Sequence, residues 1–209
     1  MKPLSDFLPR LLVYTPACSE PLAEQALLDA AIDFCERSSV IRYTADPIAV
    51  IENIAEYEIC APSNDQTIAR VLKVFLNGEP IEAIMAEVRT PVPEDPARPS
   101  GYSIIEDDCG LTLRLNVIPD DAYTLSVELA LRPAKTARKV DSRLYTRWMD
   151  AVVAGALSRL YAVPGQPFSD GGAAVYQASR AARMMNSARI EGSYGRVRGS
   201  MAVRSRPFM

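Results

Sequence analysis

Enzyme chemistry needs side chains that trade protons, attack electrophiles or hold ions, and this 209-residue chain is short of them. It has no histidine, so it lacks the side chain that titrates near neutral pH and the commonest metal ligand. The densest carboxylate cluster is Glu106-Asp107-Asp108. A divalent cation would need several oxygens converging on one point. Consecutive carboxylates on a strand face opposite ways, and no distant acidic motif completes a shell. The cluster therefore reads as a solvated turn before a strand at Leu111. Ser103, Ser142 and Ser169 have no G-x-S-x-G context and no base to activate a hydroxyl. No G-x-G-x-x-G or G-K-[ST] loop is present to cradle a nucleotide. Gly171-Gly172 follows Asp170, and helix capping explains that triplet better than a phosphate site does. A hydrolase working with two carboxylates would need a pair that the chain does not offer. Cys18, Cys35, Cys60 and Cys109 are scattered, with no C-x-x-C, and read as four buried, reduced thiols. No catalytic, cofactor-binding or metal-binding residue is expected, and the chain is not expected to be an enzyme.

Charge is unevenly spread. From Arg180 to Met209 there are seven arginines (Arg180, Arg183, Arg189, Arg196, Arg198, Arg204, Arg206) against one acid, Glu191. That segment carries +6 in a chain of net charge −3, which leaves −9 on the remainder. A basic segment poor in large apolar side chains cannot bury enough surface to fold alone, so it is expected to order on an acidic partner. Two partners fit. Arginine forks would pair with protein carboxylates, with Phe208 as a terminal anchor. The same arginines would also neutralise nucleic-acid phosphates. The tail has no lysine and only Tyr194 and Phe208 for base stacking, and the body behind it is acidic, so docking on protein is preferred.

Periodicity gives the elements that would carry this arm. Ser19-Glu20-Pro21 predicts a helix start, and the helix runs to about Arg37 with Ala23, Leu27, Ala30, Ala31 and Phe34 on one face. From Asp46 to Pro133 the period is two. Tyr57 and Ile59 alternate with polar residues, and Ile68 to Leu76 ends in Asn77-Gly78, the strongest short hairpin signal. The run from Leu111 to Val117 and the run from Tyr123 to Leu131, joined through Pro119-Asp120-Asp121, predict a two-strand meander with one wet face. Thr90 to Ser100 holds Pro91, Pro93, Pro96 and Pro99 and reads as a stiff exposed loop. From about Asp141 the period returns to 3.6. Trp148 lies on a broad apolar face with Tyr145, Val152, Val153 and Leu160 until Pro164-Gly165 stops the helix. Ser169-Asp170 caps a last helix, about Ala173 to Ile190, with a stripe of Ala174, Ala178, Ala181, Ala182 and Met185. Arg180 and Arg183 are expected on the opposite face of that helix, and with Ala174, Ala178 and Ala181 they are the candidate residues of a subunit contact. Gly192 is expected to end helical structure.

These elements predict an α+β fold. Its expected form is a helical bundle (N-terminal helix plus two C-terminal helices) with an inserted small antiparallel β domain and an extended C-terminal arm. The divisions are 1–45 for the N-terminal helix, 46–135 for the β domain, 136–190 for the helical hairpin and 191–209 for the arm. No stretch approaches the roughly 20 apolar residues that span a bilayer. No leader is expected, since Lys2 is followed by Pro3, Asp6 and Pro9.

The order of short motifs resembles a known family. Tyr57-Glu58-Ile59 is followed by Leu76-Asn77-Gly78-Glu79-Pro80-Ile81, then by Leu125 to Pro133, then by a helix from Ala151 to Leu160 leading into Pro164-Gly165-Gln166-Pro167-Phe168-Ser169-Asp170. This set, covering about Leu12 to Arg189, is similar to the adaptor (head-to-tail connector) proteins of short-tailed bacteriophages. The resemblance implies a non-enzymatic virion protein of the neck and tail, assembled in the host cytoplasm. It implies a homo-oligomeric ring of about twelve copies under the portal protein, an extended channel for non-specific passage of DNA, and a docking surface for tail nozzle and tail fibre proteins. It implies no cofactor and no membrane partner. In that family the C-terminal extension reaches along the portal, a role that fits Arg196, Arg198, Arg204, Arg206 and Phe208. The alternative is a DNA-binding accessory protein that uses the basic arm.

Overall fold

A computed structural model describes residues 1–84, 92–93, 95–107 and 110–194, with the side chains of Asp107 and Tyr194 excepted. The chain begins with strand β1 (Lys2–Pro3), a 3-10 turn (Leu4–Phe7) and the short helix α1 (Leu8–Leu12). Helix α2 (Glu20–Ser38) follows, with Pro21 in its first turn, where its missing N–H is not needed. Ser39 ends it in the left-handed region (φ 50°), and its N–H donates to the Cys35 carbonyl at 2.9 Å.

Next come β2 (Arg42–Thr44), β3 (Ile48–Val50), β4 (Glu56–Ile59), β5 (Gln66–Leu76), β6 (Glu79–Ala83), β7 (Gly101–Asp107), β8 (Gly110–Leu115) and β9 (Tyr123–Pro133). They form one sheet in the order β2-β9-β5-β6-β7-β8-β4, with β3 also paired to β9. All pairings are antiparallel except β6 with β7. Asn77 (φ 49°) and Gly78 (φ 84°) close β5 onto β6 in the two-residue turn that the sequence predicts. Asn77 also fastens this tip to β9, its Oδ1 accepting the Thr124 N–H at 2.7 Å. The register of β5 against β9 slips between Ile68 and Arg70 and again between Val71 and Lys73. Irregularities of this kind bend a strand, and they accompany the curl of the sheet.

The chain closes with β10 (Lys139–Val140), paired to β1, and helices α3 (Ser142–Arg147), α4 (Met149–Tyr161) and α5 (Gly171–Tyr194). Asp141 caps α3 by accepting the Arg143 N–H at 2.8 Å. Trp148 (φ −115°, ψ 15°) breaks the run that the sequence reads as one helix into α3 and α4. Its ring packs on Phe34 of α2 at 5.6 Å between centroids. Helix α2 lies between the sheet and α4. Cys35 and Ile41 meet Leu131 and Leu144 on the sheet side. On the other side a Cβ at Gly155 would stand 3.1 Å from Ala30 Cβ, so the α2–α4 crossing depends on small residues.

Three expectations fail. A helical bundle carrying a small inserted β domain is not what forms. The fold is mixed α/β, and its large curled eight-stranded sheet is the floor on which the helices lie. The reason is visible in β9. Leu129, Ala130 and Leu131 are all buried, so both faces of the strand are covered, and α2 lies against it. The predicted meander also fails: β8 pairs with β7 and β4, while β9 pairs with β5, β2 and β3. Helical structure, finally, does not stop at Gly192. Helix α5 continues to Tyr194, and Gly192 lies where a Cβ would come within 3.1 Å of the Ser38 carbonyl oxygen, a packing open to glycine.

Candidate interaction surfaces

Helix α5 starts where Asp170 Oδ1 accepts the Ala173 N–H at 2.9 Å. Its inner face is Ala174, Gln177, Ala181, Met185 and Ala188, all buried. These positions recur every three to four residues, the spacing of one helix face. Gln177 Oε1 has no hydrogen-bond partner among the described residues, a desolvation cost on an otherwise apolar contact.

The alanine stripe expected as a subunit contact is therefore split. Ala174 and Ala181 face inward, whereas Ala178 and Ala182 face solvent. The outer face combines small central residues (Ala178, Ser179, Ala182, Asn186) with exposed apolar ends, Val175 (69% exposed) and Tyr176 (60%) at one and Ile190 (60%) at the other. Arg183 and Arg189 are exposed on it and Arg180 is half-buried. No acid occurs from Gly171 to Ile190. At its far end α5 is tied down twice, by an Arg147–Glu191 ion pair and by the packing of Gly192 on the end of α2. Arg196, Arg198, Arg204, Arg206 and Phe208 lie outside the described residues.

The opposite charge gathers on the sheet. From Asp46 to Pro133 there are sixteen acids and six bases. Strand β4 sets the pattern, with Tyr57 and Ile59 turned inward and Glu56 and Glu58 outward. Glu56 pairs with Arg114 on β8 at 3.3 Å. Glu58 and Glu106 flank an open cleft of about 420 Å³, which is also lined by Cys60, Asn64, Thr67 and Gly110. The cleft lies where the end of β4, the first residues of β5 and the ends of β7 and β8 meet. The Cys60 thiol donates to Glu58 Oε1 at 3.5 Å. That bond, followed by burial and the carboxylate charge, pushes the thiol above its ordinary value and away from reactivity.

Cys60 corrects the expectation of four buried thiols. Cys18 and Cys35 are buried, Cys60 is exposed one residue beyond β4, and Cys109 lies outside the described residues. Next to β4, the Tyr57 hydroxyl accepts the Ile51 N–H at 3.1 Å and donates to the Ile54 carbonyl at 2.6 Å, fixing a turn that presents Ile51 and Ile54 to solvent.

Sequence reading found the basic segment and missed this acidic edge. The signal was present in Glu56-Tyr57-Glu58-Ile59, whose alternation puts two carboxylates on one face. Of the cluster Glu106-Asp107-Asp108, only the Glu106 side chain is described, at the cleft, and Asp108 lies outside the described residues. Among the described residues no group of three or more His, Cys, Asp or Glu side chains is placed to hold a metal ion. Among them, too, no helix is long and apolar enough to cross a membrane. No protein-family model matches the chain, and no curated protein matches it.

Proposed function

We propose that this chain is a structural virion protein, a head-to-tail adaptor whose copies form a ring on the portal, extend the DNA channel and give tail nozzle and fibre proteins a surface to dock on. The observation that carries the reading is the separation of charge, with an acid-rich sheet and an arginine segment running from α5 to Met209 with one acid in it. The ordered motif set from Tyr57 to Asp170 supports it, and the fold does not bear on it. An extended arm reaches much partner surface at modest affinity per residue. A contact repeated around a ring need not be strong in each copy. An acidic wall suits a channel through which DNA slides without sticking. In this reading Arg196, Arg198, Arg204, Arg206 and Phe208 dock on the portal through arginine–carboxylate pairs. No catalytic step is assigned.

One observation favours a second reading, a DNA-binding accessory protein: the outer face of α5 carries Arg183 and Arg189 with no acid among them and continues into the basic arm. Solution mass with and without the cognate portal separates the two. The full chain and a chain ending at Tyr194 are compared, since α5 ends there and the buried core of the described residues is kept whole. The adaptor reading expects a portal-bound assembly that is lost with the arm. An arm-independent portal complex removes the arm's role. A chain indifferent to portal that retards duplex DNA at moderate salt replaces the adaptor reading with the second one.

A further inference from the structure

The ion pairs of the described residues run largely within each half of the fold. Arg10–Asp150, Arg37–Asp33, Arg143–Asp141 and Arg147–Glu191 stay among the helices and their caps, Arg114–Glu56 stays in the sheet, and Arg132–Glu36 joins the two. Among the described residues, the sheet's carboxylates and the arginines on α5 are thus not paired with each other inside the chain. Glu58 and Glu106 are exposed at the cleft, while Arg183 and Arg189 are exposed on an acid-free helix face that the half-buried Arg180 flanks. Exposed apolar side chains accompany both surfaces. Ile51 (57% exposed) and Ile54 (44%) lie beside the acidic strand β4, and Tyr176 and Ile190 lie beside the arginines. A surface with apolar anchors and one sign of charge, and a second surface on the same chain with apolar anchors and the other sign, satisfy each other only between copies.

We propose that two copies of this chain meet head to tail, the outer face of α5 on one copy seating on the acidic β4 edge of the next. Arginine forks on Arg180 and Arg183 pair with Glu58 and Glu106, and the small residues Ala178, Ser179 and Ala182 let the helix approach the sheet closely. The two surfaces differ, so the contact is heterologous: each copy offers one of each, and repetition makes a ring or a filament according to the angle. The proposal rests on the ring reading given above and supplies the contact that builds the ring. The arm is left free for the portal.

The test is the mass of the full-length chain in solution from micromolar to about millimolar concentration, in low and in high salt. Two variants go with it. Arg180→Glu with Arg183→Glu blocks the helix face, and Glu58→Lys with Glu106→Lys blocks the sheet face. If the lysine variant melts early, Glu58→Gln with Glu106→Gln replaces it, removing charge at similar size. The wild type is expected to grow past a dimer with concentration and to shrink in high salt. Each variant alone is expected to associate about tenfold or more weakly, as when like charges meet at an interface. The two variants mixed are expected to stop at a heterodimer, because each keeps one working face and those faces match once.

A wild type that stays monomeric throughout overturns the contact. So does association that neither variant weakens, and in that case an intact portal-bound ring would leave the adaptor reading standing. Self-association with this pattern but no portal binding would keep the contact and remove the adaptor reading. Duplex-DNA binding lost with Arg180→Glu and Arg183→Glu, without self-association, would overturn the contact in favour of nucleic acid.

Discussion

The curled sheet and the helical layer solve packing and charge in opposite ways. The sheet closes on branched and aromatic side chains (Val74, Leu113, Leu115, Leu125, Tyr57) and turns Glu56 and Glu58 outward along β4, with Glu106 exposed at the end of β7. The helices close on alanine and glycine (Ala30 against Gly155, then Ala174, Ala181 and Ala188 of α5) and turn arginines outward. Large side chains give a sheet its depth, while small ones let helices cross closely. The shared elements are few: β9 beneath α2, and α2 itself, whose Phe34 packs on Trp148 while Cys35 lies near Leu131 of β9. The difference shows that the charge pattern is not a means of holding the halves together. Apolar burial does that, which leaves the charges available to other molecules.

Removing one large side chain from each half is the strongest way to break this comparison. Phe34→Ala in the helical layer is expected to cost about 3–5 kcal/mol and Leu113→Ala in the sheet about 2–5 kcal/mol. If β9 and α2 join the halves as described, both variants still unfold in a single urea transition with unchanged slope. Two separated transitions in either variant would show that the halves fold independently. A smaller effect is expected from Tyr57→Phe, which removes the hydroxyl between the Ile51 N–H and the Ile54 carbonyl. The expected loss is about 0.5–1.5 kcal/mol, with faster amide exchange confined to the turn from Ile51 to Ile54. Uniform loss of protection through the sheet would mean that the tyrosine supports the core rather than the turn.

The smallest effect is a pH dependence. Burial alone would push the Asp141 carboxyl up, but the side-chain and backbone hydrogen bonds from Arg143, with its charge and that of the N-terminal ammonium, hold it below the usual carboxylate range. A carboxyl depressed in the fold contributes stability that is complete above the unfolded value, about pH 4, and is lost as pH falls through the folded one. Asp141→Asn keeps a capping acceptor without the charge. The variant is expected to be about 0.5–1 kcal/mol less stable at neutral pH and to converge with the wild type as pH falls through the folded value. Urea midpoints followed across pH read this directly, and a constant gap at every pH would assign the effect to shape instead of charge.

Local signals were legible in the sequence and long-range ones were not. Ser19-Glu20-Pro21 located α2, Asn77-Gly78 located its hairpin, and Ser169-Asp170 located the start of α5, because each acts within a few residues of itself. Alternation along Leu111 to Leu115 and along Tyr123 to Leu131 gave two strands and their faces. It carries no information on which strand lies beside which, and the short loop between them suggested a pairing that the sheet does not make. The continuous run Leu129-Ala130-Leu131 was the available warning, since a strand with one wet face keeps a polar residue between its leucines. The parallel pairing of β6 with β7 spans a stretch read as a proline-rich loop, and nothing local marks it. Of the candidate contact, the arginines of α5 were found by composition. The inward turn of Ala174 and Ala181 depended on where α4 lies, which a helical period alone cannot give.

The break at Trp148 has a consequence for observing the molecule. It places the single tryptophan of the chain against Phe34, with the Arg147 guanidinium 5.5 Å from its ring centre, while Arg147 also holds Glu191 in the last turn of α5. Emission from that indole depends on the nearby cation, and the cation is tethered to the root of the arm. The protein therefore carries its own optical reporter at one of the two ties that hold the end of α5 to the fold.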